Sequence, residues 1–371
     1  MSSSPPTGLE SNTATTTTNA AHPTLESKTT SSTSNKKGDA SATLNCNTQE
    51  IGLDDLDVAA WVLSKAFLDD RSVAYYGDCE AYPTTRESPN GMKIYFFFRM
   101  IMKAALLKGG RVVVATTTTP DTIAGTKCKD RELRPSPEQG GDKRINLESD
   151  ERTKLKNGET IVGVACWWPP HKRLPVHNLP LMLRCGAWRY LKGWGLTGFK
   201  RTAIEYSGLS ERTHAAAFES HAKKDKDNAY AEGNGKGKKA KALKPHDCWY
   251  LNIVMTVKEF EGQGVLSGLI REAYKHAQNT NLAPFILEAM TERSRDRYTH
   301  LGFEVEPDQP PTILGAGKVN ETGLKVKTTR KSAGSSASRE ASDEKDVETA
   351  SVSRKADGVE VYCMVNWNPQ V

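Results

Sequence analysis

Apolar positions in this chain fall into short periodic runs separated by long polar stretches. Residues 53–68 place Val58, Ala59, Val62, Leu63, Ala66 and Phe67 at helical spacing, the pattern of an amphipathic helix. Residues 95–108 predict a second helix that stops before Gly109 and Gly110, after which 111–115 carries the β-branched run of a buried strand. A further strand is expected over 160–168, stopped by Pro169 and Pro170, and a helical stretch over about 179–201. Strands over 249–257 and 284–290, separated by a helix over 265–279, make a strand-loop-helix-strand unit. The last strand, 359–367, alternates Val359, Val361, Cys363, Val365 and Trp367, read as facing inward, with Glu360, Tyr362 and Asn366, as a half-buried antiparallel strand does.

Between these runs the chain is too polar to build a core. Residues 1–48 are dominated by Ser, Thr and Asn and predict a disordered tail. Stretches at about 117–158, 222–245 and 318–357 read as low-complexity insertions in loops, which loop-closure entropy tolerates because it grows slowly with length. One domain over 49–371 is therefore expected. Bulk composition, 37% hydrophobic with a mean hydropathy of -0.58, averages these two populations. The start of the chain has neither the basic nor the apolar region of a secretory signal. The best membrane candidate, residues 179–199, is interrupted by Arg184, Arg189, Lys192 and several glycines. A soluble, cytoplasmic protein is expected, with the nucleus left open. The seven cysteines are scattered without paired spacing and read as free thiols rather than metal ligands, and no metal is expected. A net charge of +6 suits a polyanionic small cofactor, a nucleic acid or an acidic membrane surface equally well and does not decide between them.

Candidate chemistry concentrates in 251–269, where an apolar strand runs through Gly262-Gln263-Gly264 into a helix with Leu266, Leu269, Ile270, Ala273 and Ala277 on one face. Two glycines let a backbone approach an anion closely, and a helix N-terminus adds partial positive charge. A plain tight turn is the alternative reading. Further on, Leu287-Glu288-Ala289 ends the next strand, and 293–303 reads Arg-Ser-Arg-Asp-Arg-Tyr-Thr-His-Leu-Gly-Phe.

In both places, and in that order, the sequence resembles the GCN5-related N-acetyltransferase (GNAT) superfamily, which carries Q/R-x-x-G-x-G/A at a strand-to-helix loop and, about thirty residues later, a helical Tyr before a Leu-Gly-Phe turn. Ala66-Phe67-Leu68-Asp69-Asp70, the strand Val162-Gly163-Val164-Ala165-Cys166-Trp167 and the final Val361-Tyr362-Cys363-Met364-Val365 also resemble fungal members. The resemblance implies an α/β (α+β) fold: a central mixed, mostly antiparallel twisted sheet flanked by helices, with a β-α-β core for acetyl-CoA. It implies that acetyl-CoA is the acetyl donor and an amine the acceptor. The donor's phosphates would lie at Gly262, Gln263, Gly264, Val265, Leu266 and Ser267, and its pantetheine arm along Val254, Met255 and Thr256. Glu261 and Leu266 depart from the motif: a carboxylate at 261 opposes an anion unless it points away, and Leu266 crowds the first helical turn.

By the same resemblance Tyr298 is the acid that protonates the departing thiolate, a core-packing tyrosine being the alternative. Glu288 is the candidate base, with burial expected to raise its pKa toward neutrality, or else a structural hydrogen-bond acceptor. His246 and Asp247 read as a solvated loop end, and Cys248 and Cys363 as core thiols. Trp167, Trp168, Trp188 and Trp194 are candidates for an apolar acceptor pocket or for the core. Two rival functions stay open. One is an inactive acyl-CoA-binding sensor, suggested by Glu261 and Leu266. The other is a nucleic-acid or protein-binding module using Lys236, Lys238, Lys239, Lys241 and Lys244, which the lack of interleaved aromatics disfavours for nucleic acid.

Overall fold

Arg111–Thr117 (β2) and Thr160–Trp168 (β3) are buried along their whole length, so both faces of the sheet they form must be covered. In the computed structural model, which describes residues 46–118, 151–174, 176–231, 243–306, 309–326 and 357–370, they lie inside a sheet of order β1-β2-β3-β4-β5-β7-β6. The other strands are Asn47–Glu50 (β1), Trp249–Thr256 (β4), Phe285–Ala289 (β5), Thr312–Leu314 (β6) and Val359–Asn366 (β7). Neighbours are antiparallel except β4 and β5, which are parallel and joined through helix Val265–Thr280 (α7). This is the mixed, mostly antiparallel sheet with a β-α-β unit that was expected.

Helix α7 covers one face. A Cβ on Gly163 of β3 would stand 2.6 Å from Val265 Cγ1 and 3.1 Å from Leu269 Cδ1, so the glycine is what lets the helix seat. The buried Arg111 guanidinium ties α7 to the sheet edge, 2.7 Å from Glu272 and 2.8 Å from Glu50. Helices Leu56–Ala66 (α1) and Pro89–Lys108 (α3) pack on the opposite face. The helix α3 starts before the expected residue 95, because Ser88 caps it by accepting from the Gly91 amide. The short helix Arg71–Tyr76 (α2) is capped in the same way by Asp70.

Several boundaries differ from expectation. The helical stretch near 179–201 is broken at Gly186 (φ 102°) into Leu179–Cys185 (α4) and Ala187–Phe199 (α5), and α5 is itself kinked at Gly195 (φ 64°). It then runs on through a π-helical turn, Lys200–Tyr206, into a helix that was not anticipated, Ser207–Ala231 (α6). The expected insertions are ordered at their edges. Leu155 is a core residue, α6 extends to Ala231, and Val319 and Leu324 are buried. Lys236, Lys238, Lys239 and Lys241, like residues 1–45, lie outside the described residues. In β7 the expected alternation fails, since Tyr362 and Asn366 are buried along with Val361, Cys363 and Val365, whereas Trp367 is only half-buried. The reason is that β7 sits between β5 and β6, with α6 and helix Glu292–Thr299 (α8) both packing on it.

Candidate active site

One irregularity in β4 makes the site. Cys166 pairs with Ile253 but its neighbour Trp167 pairs with Leu251, leaving Asn252 as an extra residue, a β-bulge. A bulge bends its strand and sharpens the twist. The parallel pairing of β4 with β5 accordingly stops at Leu251 and Leu287, while β4 continues along β3 to Thr256 and β5 continues along β7 to Ala289. The two strands therefore part, and one edge of β4 beyond Asn252 has no strand beside it among the described residues. A cavity of about 1350 Å³ opens there, lined by Val254, Met255 and Thr256 on one side and Glu288, Ala289 and Tyr298 on the other. The Asn252 Oδ1 atom is buried in it without a partner, an acceptor open to a donor that enters the gap.

Of the loop residues, Glu261 lines this cavity, while Gly262 to Ser267 lie beyond its lining. Gly262 and Gly264 take φ of 79° and 84° with open space around them. Gly264 has no side chain with which to cap α7, so the first amides of the helix, from Val265, Leu266 and Ser267, have no intrahelical acceptor. The Val265 side chain is buried against Gly163 and Leu266 is half-buried against the core, leaving the backbone as the outward chemistry of both. Gln263 donates to the Glu259 carbonyl at 3.0 Å. Glu261 is turned to α8, with its Oε2 atom 3.0 Å from both Arg293 and Arg297. Its charge is thus met by two guanidinium groups.

On β5, Glu288 is buried, its side chain only 3% exposed. Helix α6 lies over it: Ser210 donates to its carboxylate, and His214 Nε2 stands 2.9 Å from Oε1, close enough for a charge contact although the N–H is not aimed for a hydrogen bond. Tyr250 of β4 and, beyond it, Tyr206 stand close by, and the Asn252 amide donates to the Tyr250 hydroxyl at 3.4 Å. Burial pushes the Glu288 carboxyl up, but the His214 charge and the hydrogen bonds outweigh it and hold the group below its usual value. The expectation of a base raised toward neutrality is therefore corrected: burial does not act alone here, because His214 and Ser210 come from a helix the sequence did not announce.

Tyr298 sits near the end of α8, which begins with a reciprocal cap between Thr291 and Ser294. Gly302, in the left-handed region at φ 85°, turns the chain back through Leu301-Gly302-Phe303 to β7. The Tyr298 ring packs edge-on against Phe303 at 6.0 Å, and burial pushes its phenol well above the usual value. It stays protonated, and none of the described residues accepts from its hydroxyl.

No protein-family model and no curated relative matches the chain. Solved structures do match over most of its length. One is a histone acetyltransferase HPA2 and related acetyltransferase from Corynebacterium glutamicum, 16% identical over 88% of this chain and 97% of that one, with a TM-score of 0.38. A second is arylalkylamine N-acetyltransferase 2 from Aedes aegypti, 10% identical over 87% and 99%, with a TM-score of 0.38. A third is the polyamine N-acetyltransferase of Drosophila melanogaster, 9% identical over 87% and 100%, with a TM-score of 0.37. All three are acetyltransferases.

Other candidates sort by burial. Burial raises the thiols of Cys166 and Cys248 to about 12 and that of Cys363 well above its usual value, so none of them supplies a thiolate. Asp247 accepts from the Lys244 amide at 2.9 Å and ends a turn. Trp167 and Trp168 are core residues, Trp188 is exposed, and Trp194 packs on Tyr76 and Phe97 outside the cavity lining. No helix among the described residues is long and apolar enough to cross a membrane. His214, Ser210 and Tyr206 were missed in the sequence. Their only signal was the i, i+4 spacing of Tyr206, Ser210 and His214, which places them on one helical face.

Proposed function

We propose that the protein is a GNAT-type N-acetyltransferase that moves an acetyl group from acetyl-CoA to a primary amine. The observation that carries this reading is the parting of β4 and β5 at Asn252, which opens one cavity onto Val254, Met255, Thr256, Glu288 and Tyr298 together. An amide-bearing pantetheine arm fits the free edge of β4 as an added strand. The uncapped amides after Gly264 suit the pyrophosphate. With Glu261 held by Arg293 and Arg297, the ground for an inactive sensor is weakened.

In the reaction, the nitrogen of the neutral amine attacks the thioester carbonyl. The C–N bond forms, the C–S bond breaks, and the proton lost from nitrogen balances the one gained by sulfur. His214, in its neutral form, takes the nitrogen proton, and Glu288, too weak a base for that task by itself, stabilises the resulting imidazolium across the 2.9 Å contact. Tyr298 donates its hydroxyl hydrogen to the departing thiolate and is reprotonated from solvent. The first experiment is thermal unfolding with saturating acetyl-CoA, against dephospho-CoA and adenosine bisphosphate. At about 100 times Kd, stabilisation is roughly 2.7 kcal/mol. A shift with release of free thiol on adding amines supports the proposal. No shift at millimolar acetyl-CoA overturns it.

A further inference from the structure

Six of the ten large apolar side chains exposed among the described residues fall within residues 179–204: Leu179, Leu183, Trp188, Leu196, Phe199 and Ile204. Single exposed leucines are ordinary, but six in one short stretch form a feature of the surface. The helices that carry them are seated from their inner side, since Met182, Cys185, Ala187 and Tyr190 are buried and α3 packs on both α4 and α5. Trp188 and Leu196, 68% and 81% exposed, therefore belong to a helix whose other side is already satisfied.

Charge on this layer has one sign. From Lys172 to Ile204 there is no acidic residue, and α3 has none either. Arg184, Arg189 and Lys192 are exposed, with no carboxylate in ion-pair reach among the described residues, and Lys93 of α3 comes alongside at Gly193. Arg189 lies over the half-buried ring of Phe96, 5.2 Å from its centroid. The neighbouring carboxylates are taken: Glu205 pairs with Lys318 and Lys200, and Asp78 with Arg201 and Lys325. Asp69, Glu211 and Glu219, exposed in the cavity lining, come from other elements.

An apolar set fringed by unneutralised cations is the composition of a helix that lies in a membrane interface, where apolar side chains enter the acyl boundary and long basic stems reach back to the headgroups. Arg184, Arg189 and Lys192, which keep residues 179–199 from spanning a bilayer, are suited to lying on one. We propose that α4 and α5 dock the protein on an anionic lipid bilayer, with Trp188 and Leu196 inserted and Arg184, Arg189 and Lys192 on the headgroups. A second copy of the chain is disfavoured as the occupant, because two such faces would bring like charges together. Leu179 and Phe199 also line the candidate active-site cavity, so the docked face runs to the edge of that cavity.

The test is flotation of the full chain with vesicles of phosphatidylcholine alone and of phosphatidylcholine with phosphatidylserine, at low and high salt. Binding to the anionic vesicles should be about tenfold or more tighter than to the neutral ones, and should weaken with salt. Trp188→Ser combined with Leu196→Ser should cut it about tenfold or more at both salt concentrations, whereas Arg184→Gln combined with Lys192→Gln should cut it mainly at low salt. All four side chains are exposed, so thermal midpoints should stay unchanged. Lysines of the 236–241 segment also attract anionic lipid, so a variant with Lys236, Lys238, Lys239 and Lys241 replaced by Gln provides the last arm. It should still bind and still depend on Trp188 and Leu196. No vesicle binding, binding that survives the Trp188 and Leu196 replacements, or binding lost with the lysines instead overturns the proposal. So does a chain that ignores vesicles but falls to a smaller oligomer when Trp188 and Leu196 are replaced, which would make a second copy the occupant.

Discussion

His214 Nε2 stands 2.9 Å from Glu288 Oε1, although the two residues belong to a helix and a strand on opposite sides of the Lys-rich segment. The contact joins an imidazole to a carboxylate that already accepts from Ser210, in a cavity whose lining also includes Tyr250, Arg173, Glu211 and His246. Removing the ring should remove the proton acceptor. His214→Gly is expected to lower kcat by about 10²–10⁴-fold with acetyl-CoA binding intact, and added imidazole should restore part of the rate. Because the pair acts as a unit, a variant that also carries Glu288→Gln should be little worse than His214→Gly alone. A fully active His214→Gly protein would remove the residue from the mechanism.

Tyr298→Phe deletes one hydroxyl that none of the described residues uses. Folding should be unaffected and kcat should fall about 10²-fold or more, with the thermal shift given by acetyl-CoA preserved. An unchanged kcat would leave Tyr298 as a core residue packed on Phe303.

Glu261→Gln frees Arg293 and Arg297 beside the glycine loop. As half-exposed ion pairs these contribute about 1 kcal/mol or less to stability, so the unfolding midpoint should barely move. The affinity for acetyl-CoA should instead rise by roughly 2–5-fold at low salt, and the gain should vanish near 1 M salt, where the Debye length is about 3 Å. Titrations at two ionic strengths check both halves.

The buried Glu288 carboxyl also predicts a pH dependence of stability. A group held below its ordinary value when folded takes up a proton more readily when unfolded. Its contribution is therefore complete above the ordinary glutamate value of about 4.3, and is lost as the pH falls through the lower folded value. Urea midpoints measured from pH 3 to pH 7 should fall on the acid side in the wild type and fall less in Glu288→Gln.

At Gly163 the space is already filled, and a Cβ there would sit 2.6 Å from Val265 Cγ1. Gly163→Ala should cost about 1–3 kcal/mol by pushing α7 off the sheet, and should weaken acetyl-CoA binding along with it. Chemical denaturation and ligand titration of one preparation report both effects.

Much of the frame was legible because it is written in local periodicity. The strands at 111–117, 160–168, 249–256 and 285–289 and the helix at 265–280 have apolar patterns that sheet or helix geometry requires wherever they are placed. The glycine loop was legible for the same reason, since its φ values of 79° and 84° suit the residue type itself. Helix α6 was not, because it is largely polar and its buried residues touch partners far along the chain. Ser210 and Glu288 are 78 residues apart. The alternation expected in β7 failed because a strand's pattern does not say how many faces its neighbours will cover.

By itself, then, the sequence determined the elements, their order and the turn before α7, all of which depend on residues within a few positions of one another. Tertiary structure alone decided that the register would slip at Asn252, that Glu261 would turn to Arg293 and Arg297, and that His214 and Ser210 would close over Glu288. A bulge is a mismatch between two strands, and the state of a buried carboxylate is the balance of desolvation against whatever surrounds it. Neither quantity exists until distant segments meet.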